Sequence, residues 1–184
     1  MKILALDLSL TATGFATTYP VFNDADRVQR DVHSGTIEPR RMSGMPRLRY
    51  IRDLVLSLAR DADVVVLEGY AFGVQRQAGA RAIGELGGVV RLALFEAERP
   101  VAEVPPASLK LFACGAGNAA KDAMLASAIR QLGYEGHDHN VSDALFLLAM
   151  GRCAYGLDVP SNAHQRRALE KIQWPAARVS AAVA

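Results

Sequence analysis

Ile3-Leu4-Ala5-Leu6-Asp7-Leu8-Ser9, followed by Leu10-Thr11-Ala12-Thr13-Gly14, decides how the rest of the chain is read. Four apolar residues in a row, without polar alternation, predict a strand buried on both faces in the middle of a sheet. Such a strand seldom ends on a carboxylate unless the carboxylate is paired, caps a turn or holds a cation, because a lone buried charge is costly. The turn residues that follow are small and hydroxylated, so a bulky anion can approach the backbone closely. Asp7 is therefore either the cap of its own turn or a ligand, and the remaining sequence has to decide.

Outward from that strand, Phe15 to Tyr19 is β-favouring and returns from the turn, which makes residues 2–19 a hairpin. A polar loop over 20–30 leads to a third strand, Val32 to Ile37. Leu48, Ile51, Val55 and Leu58 recur at spacings of three and four, predicting an amphipathic helix over 45–60. Val64-Val65-Val66-Leu67-Glu68 is then a second buried strand that ends on an acid. A loop with two aromatics, Gly69 to Gly73, precedes a long helix from about Gln75 to Glu98 that carries Gly79, Gly84, Gly87 and Gly88. Each glycine costs a helix about 1 kcal/mol against alanine, so that spacing suits a close helix–helix or subunit contact.

Val101 to Val104 is a short strand, Pro105-Pro106 ends it, and Ala107 to Phe112 makes one or two helical turns. The loop Gly115-Ala116-Gly117-Asn118 leads into a helix over Ala119 to Leu132. Val141 to Tyr155 is apolar on every side and reads as a buried helix. The order β-β-β-α-β-α-β-α-α-α, with its first three strands antiparallel, predicts an α/β protein: a mixed five-stranded sheet flanked by helices. The expected organisation is one domain over 1–156 and a loosely packed tail over 157–184.

Bulk properties agree with that plan. A chain of 184 residues, 51% hydrophobic and 22% charged, has enough apolar surface for a single core. No apolar run nears the roughly 20 residues that span a bilayer, and MKILALDL lacks a signal-peptide layout, so no membrane partner is expected. Two cysteines, Cys114 and Cys153, make neither a disulfide framework nor a zinc site, which points to a reducing, cytoplasmic setting. Net charge is only +2, but arginine outnumbers lysine 17 to 4 and seven arginines fall between Arg27 and Arg52. That bias suits phosphate recognition, with a plain solvated basic face as the alternative.

The third acid of interest is Asp143, in the first turn of the buried helix, with Asn140 three residues and His139 four residues before it. Asn140 read by itself is a plausible N-cap. Together, Asp7, Glu68 and Asp143 form a different pattern. Three carboxylates brought close need a compensating cation, and oxygen-rich sites select Mg²⁺ or Mn²⁺. Two such ions roughly 4 Å apart activate a water and stabilise the leaving oxygen in phosphodiester hydrolysis.

An acid in the first strand, an acid ending a later strand and an acid opening a late helix resemble the RNase H-like nuclease superfamily. Within it the chain resembles RuvC-type Holliday junction resolvases, especially the bacteriophage variety. The resemblance spans about 1–155 and includes Pro105-Pro106-Ala107-Ser108-Leu109-Lys110, Gly115 to Asp122, and Asp138-His139-Asn140-Val141-Ser142-Asp143-Ala144-Leu145. It implies an RNase H-like fold and a Mg²⁺-dependent (or Mn²⁺-dependent) endonuclease with two ions per site that nicks four-way DNA junctions symmetrically as a homodimer.

By the same resemblance Asp7, Glu68 and Asp143 bind the metal pair, and Lys121 acts catalytically on the scissile phosphate. Asn140 stands where the family commonly has an acid or a histidine, so Asn140, His139 or Asp138 completes the metal site. Lys110, Lys121, Arg47 and Arg76 are the expected DNA contacts, and Phe72 or Tyr70 is the aromatic that enters the junction centre. The long glycine-spaced helix is the dimer contact. No nucleotide cofactor is expected. Competing readings are an RNase H acting on RNA–DNA hybrids and a catalytically silent protein that binds junctions.

Overall fold

The computed structural model describes residues 1–20, 27–29, 32–69 and 80–178. Its strands are β1 (Ile3–Asp7), β2 (Thr13–Thr17), β3 (Arg27–Gln29), β4 (Val32–Ile37), β5 (Val64–Glu68) and β6 (Val101–Val104). The helices are α1 (Gly44–Ala59), α2 (Ala80–Glu96), α3 (Pro106–Cys114), α4 (Lys121–Leu132), α5 (His139–Ala154) and α6 (Ala163–Leu169). One mixed sheet runs β3-β4-β2-β1-β5-β6. The five strands read from the sequence are all present, and the three-residue β3, inside the segment expected to be loop, adds an edge ribbon beside β4.

β1 lies in the middle, antiparallel to β2 and parallel to β5, which is itself parallel to β6. Its uninterrupted apolar run is explained by helices on both faces. Ile3 and Ala5 point into one layer with Val64 and Val66, under α3, α4 and α5. Leu4 and Leu6 point into the other with Val65 and Leu67, under α1 and α2. Residues of both sets are wholly buried, so the period-two pattern of a strand is hidden only because both sides are apolar.

α1 buries the expected stripe of Leu48, Ile51, Val55 and Leu58. α5 lies across β1 and β2 with Phe146 and Leu147 fully buried. Its close approach to the sheet has a sequence cause, since a Cβ on Gly151 would stand 3.0 Å from Val66 Cγ2.

The segment expected to be a loose tail carries α6, whose Ala168 is fully buried in the layer beside α3. Trp174 meets Tyr155 edge-on at 5.9 Å. The Arg178 amide donates to Asp63 O at 2.9 Å, which brings the chain back to the start of β5.

Candidate active site

Parallel pairing of β1 with β5 places Leu6 opposite Leu67, so Asp7 and Glu68 leave the sheet side by side at the same end. The two carboxyls are hydrogen-bonded to each other. Asp7 is held well above the usual aspartate range, first by burial and then by the charge and hydrogen bond of Glu68, with Asp143 adding to the effect. Burial also raises Glu68, against the opposing pull of its bond to Asp7 and of Lys110 and Lys121. Asp143 is pushed up to about 6 by burial and by Glu68, opposed by Lys121, Ser142 and His139. The structure therefore brings the three acids into one electrostatic cluster that lacks enough positive charge of its own.

The turn after β1 is built to sit against this cluster. Thr13 is fully buried; its Oγ1 donates to Ser9 O at 2.8 Å and accepts from Ser9 N at 3.1 Å, closing the turn. Asn140 Nδ2 donates to Ala12 O at 2.7 Å, which fastens the start of α5 to that turn. The backbones meet just beside this bond: a Cβ on Gly14 would stand 2.2 Å from Asn140 O. Only glycine permits that contact, and the contact delivers Asp143 to the strand ends.

Asn140 is not the N-cap that its position suggested. Asp138 caps α5, its Oδ1 accepting from Asn140 N at 2.8 Å and Val141 N at 3.0 Å. A carboxylate spent on two backbone amides is held at the helix N-terminus, where the dipole also favours it. His139 turns toward α4, with Nε2 3.9 Å from Asp122 Oδ1 and Nδ1 buried without a partner. Of these three neighbours of Asp143, Asp138 is taken up by the helix cap, Asn140 donates its amide nitrogen to the β1–β2 turn, and His139, besides its approach to Asp122, acts electrostatically on Asp143.

Lys121 opens α4 and acts on all three acids, whereas Lys110, in α3, acts on Glu68. Arg47 is half-buried in α1, on the other face of the sheet, and is not among the charges felt by the cluster. Tyr70, Phe72 and Arg76 lie outside the described residues. The anchoring roles of Gly14 and Asn140 have one signal in the sequence, the small-residue turn Thr11-Ala12-Thr13-Gly14: the close approach that it permits is made by the backbone of α5.

Among the described residues, no three His, Cys, Asp or Glu side chains close into a ready metal cage. The fit to a cation rests on chemistry: crowded oxygen donors, all raised in pKa by burial, with the charge of Glu68 adding to the rise of Asp7 and Asp143, are what a hard divalent ion neutralises.

A family model described as crossover junction endodeoxyribonuclease RuvC matches residues 3–151. A crossover junction endodeoxyribonuclease RuvC from Parasynechococcus marenigrum (strain WH8102) is 30% identical over 135 residues, covering 72% of this chain and 84% of the relative. One from Synechococcus sp. (strain WH7803) is 30% identical over 138 residues, covering 73% and 86%. The Thermus thermophilus RuvC structure superposes with a TM-score of 0.62 at 23% identity, over 85% of this chain and 96% of that one. T. thermophilus RuvC in complex with Holliday junction substrate gives 0.61 at 25% identity, over 80% and 90%. No described helix is long and apolar enough to cross a membrane.

Proposed function

This chain belongs to the RuvC family of crossover junction endodeoxyribonucleases, a divalent-metal-dependent family of RNase H-like fold, and from that premise we propose that it nicks four-way DNA junctions at the Asp7–Glu68–Asp143 cluster. The observation that carries the proposal is the convergence of these three buried acids at the end of the central strands, Asp7 hydrogen-bonded to Glu68, and Glu68 and Asp143 both acting on Asp7. Asp7, Glu68 and Asp143 would hold a pair of Mg²⁺ ions, or Mn²⁺ in their place, with the Asn140 amide oxygen as a further donor. Ions held there would supply the charge that activates a water and stabilises the leaving oxygen of a phosphodiester.

The chain's own residues do the positioning. Lys121 faces the cluster from the start of α4 and binds the scissile phosphate, stabilising charge that builds on its oxygens. Lys110 contributes the next phosphate contact from α3. Asp138 and Asn140 fix α5, so that Asp143 keeps its place as charge moves. Arg47 and Arg76 serve as peripheral backbone contacts, and Phe72 or Tyr70 enters the junction centre. Such contacts read DNA shape and phosphate position before sequence.

A homodimer is the expected assembly, through α2. A Cβ added to Gly84 or Gly88 would meet nothing within 4 Å, and Leu92 and Phe95 further along the helix are 58% and 78% exposed. That leaves an apolar, small-residue face of the kind that a second copy covers, and two sites related by a two-fold axis would cut opposed strands.

A second reading, junction binding without cleavage, is favoured by one observation: among the described residues no three His, Cys, Asp or Glu side chains close into a metal cage. A cleavage assay in Mg²⁺ on a four-way junction, a linear duplex and an RNA–DNA hybrid separates the possibilities. Paired symmetric nicks in the junction support the resolvase. Cutting of the hybrid alone supports an RNase H, and tight junction binding without cuts supports the silent protein.

A further inference from the structure

The family match ends at residue 151, but the chain continues into α6 and a packed segment that reaches residue 178. α6 buries Gln165 and Ala168, with Ile172 behind them, in the helical layer beside α3. Its His164 ring sits where the α3 C-cap, Gly115, has no side chain; a Cβ there would lie 3.4 Å from His164 Cε1. Gly115 is left-handed, with φ 77°, so glycine both ends α3 and leaves room for that ring. α6 is thereby held against the helix that carries Lys110, beside the loop that leads to Lys121.

The opposite side of α6 is basic. On α6 Arg166 and Arg167 are exposed while Gln165 and Ala168 are buried, and just past its end Lys171 is exposed beside the buried Ile172. Glu170 is the one acid on that side. Among the described residues none of the three cations is ion-paired; Arg166 reaches only Pro160 O, at 3.5 Å. A basic face on a packed helix costs less to order than a free tail does, and exposed arginine forks fit phosphate oxygens.

We propose that α6 and the turn that follows it are an added DNA-backbone contact: Arg166, Arg167 and Lys171 take phosphates of a duplex arm that runs past α3 from the cleavage site. The inference rests on the nuclease reading, and it extends the phosphate-binding surface of Lys110 and Lys121 beyond the residues that the family model matches. Each neutralised phosphate contributes about 0.9 to the slope of log affinity against log salt.

The test is a salt titration of binding by the full chain, wild type and the Arg167→Gln/Lys171→Gln double variant, to a four-way junction and to a linear duplex. The variant is expected to reduce the salt slope by about 1.8 on both DNAs and to weaken binding roughly tens of fold near 0.1 M salt, with the single-turnover rate at saturating junction unchanged. An Arg60→Gln variant, altered at the exposed C-cap of α1, is the control and should keep the wild-type slope. An unchanged slope in the double variant overturns the proposal while leaving the nuclease reading intact. If wild type binds duplex and junction equally but the double variant still lowers the slope, the junction reading fails and the α6 contact stands. Wild type binding neither DNA overturns both.

Discussion

Replacing Asp143 by asparagine should make the protein more stable when divalent ions are chelated, although it removes a proposed ligand. Burial and Glu68 raise this carboxyl from the ordinary 3.8 to about 6 in the folded state. At about 1.4 kcal/mol per decade, keeping Asp143 ionised at neutral pH therefore costs the fold about 3 kcal/mol. The net figure already includes the help of Lys121, Ser142 and His139. Between pH 3.8 and about 6 the folded chain holds more of this proton than the unfolded chain, so wild-type stability from this group falls as pH rises through that window and stays low above it.

Asparagine keeps the shape and removes the charge. Thermal unfolding followed by circular dichroism in EDTA at pH 7.5 should show Asp143→Asn melting about 6–12 °C above wild type, at 2–4 °C per kcal/mol for a chain of this size. The gap should close as pH falls below 4. Added Mg²⁺ should raise the wild type at pH 7.5 and leave the variant nearly unmoved, because the ion supplies the countercharge that the site lacks. A variant that melts at or below wild type in EDTA, or a gap that persists at pH 4, would refute the reasoning.

Three further outcomes follow from named contacts. Gly14→Ala drives a Cβ into the Asn140 carbonyl, so it should destabilise the fold by about 1–3 kcal/mol in urea unfolding and lower cleavage, and wild-type stability and turnover would show that the contact is not needed. Lys121→Ala should reduce the single-turnover cleavage rate by about 10²-fold, as loss of a transition-state donor does, and an unchanged rate would make it a surface lysine. Phe146→Ala, at a fully buried position of α5, should cost about 3–5 kcal/mol in the same unfolding assay and is expected to abolish activity only by unfolding.

The sheet was legible because its strands have few readings. Runs such as Ile3 to Leu6 and Val64 to Leu67 need apolar cover on both faces, and each stops at an acid, which fixes where the strand ends and what faces the site. The first turn of α5 was less legible. Asp138 and Asn140 are both good caps by type, and the choice between them depends on whether Ala12 O lies within reach, a contact between residues 128 positions apart in sequence. The 157–178 segment was the hardest to read. α6 is short, and its helical stripe makes sense only against α3, so neither periodicity nor composition distinguishes it from a loose tail. β3 is legible only as a partner of β4, since three residues carry no period of their own.

The most direct test of the acidic cluster as a metal-dependent cutting site uses Asp7→Asn, Glu68→Gln and Asp143→Asn, each assayed on a four-way junction in Mg²⁺ for binding and cleavage together. All three variants should bind the junction with near wild-type affinity and leave it uncut, because each loses an oxygen ligand and no phosphate contact. Wild-type turnover in any one of them, or parallel loss of binding in all three, would contradict the assignment of the site.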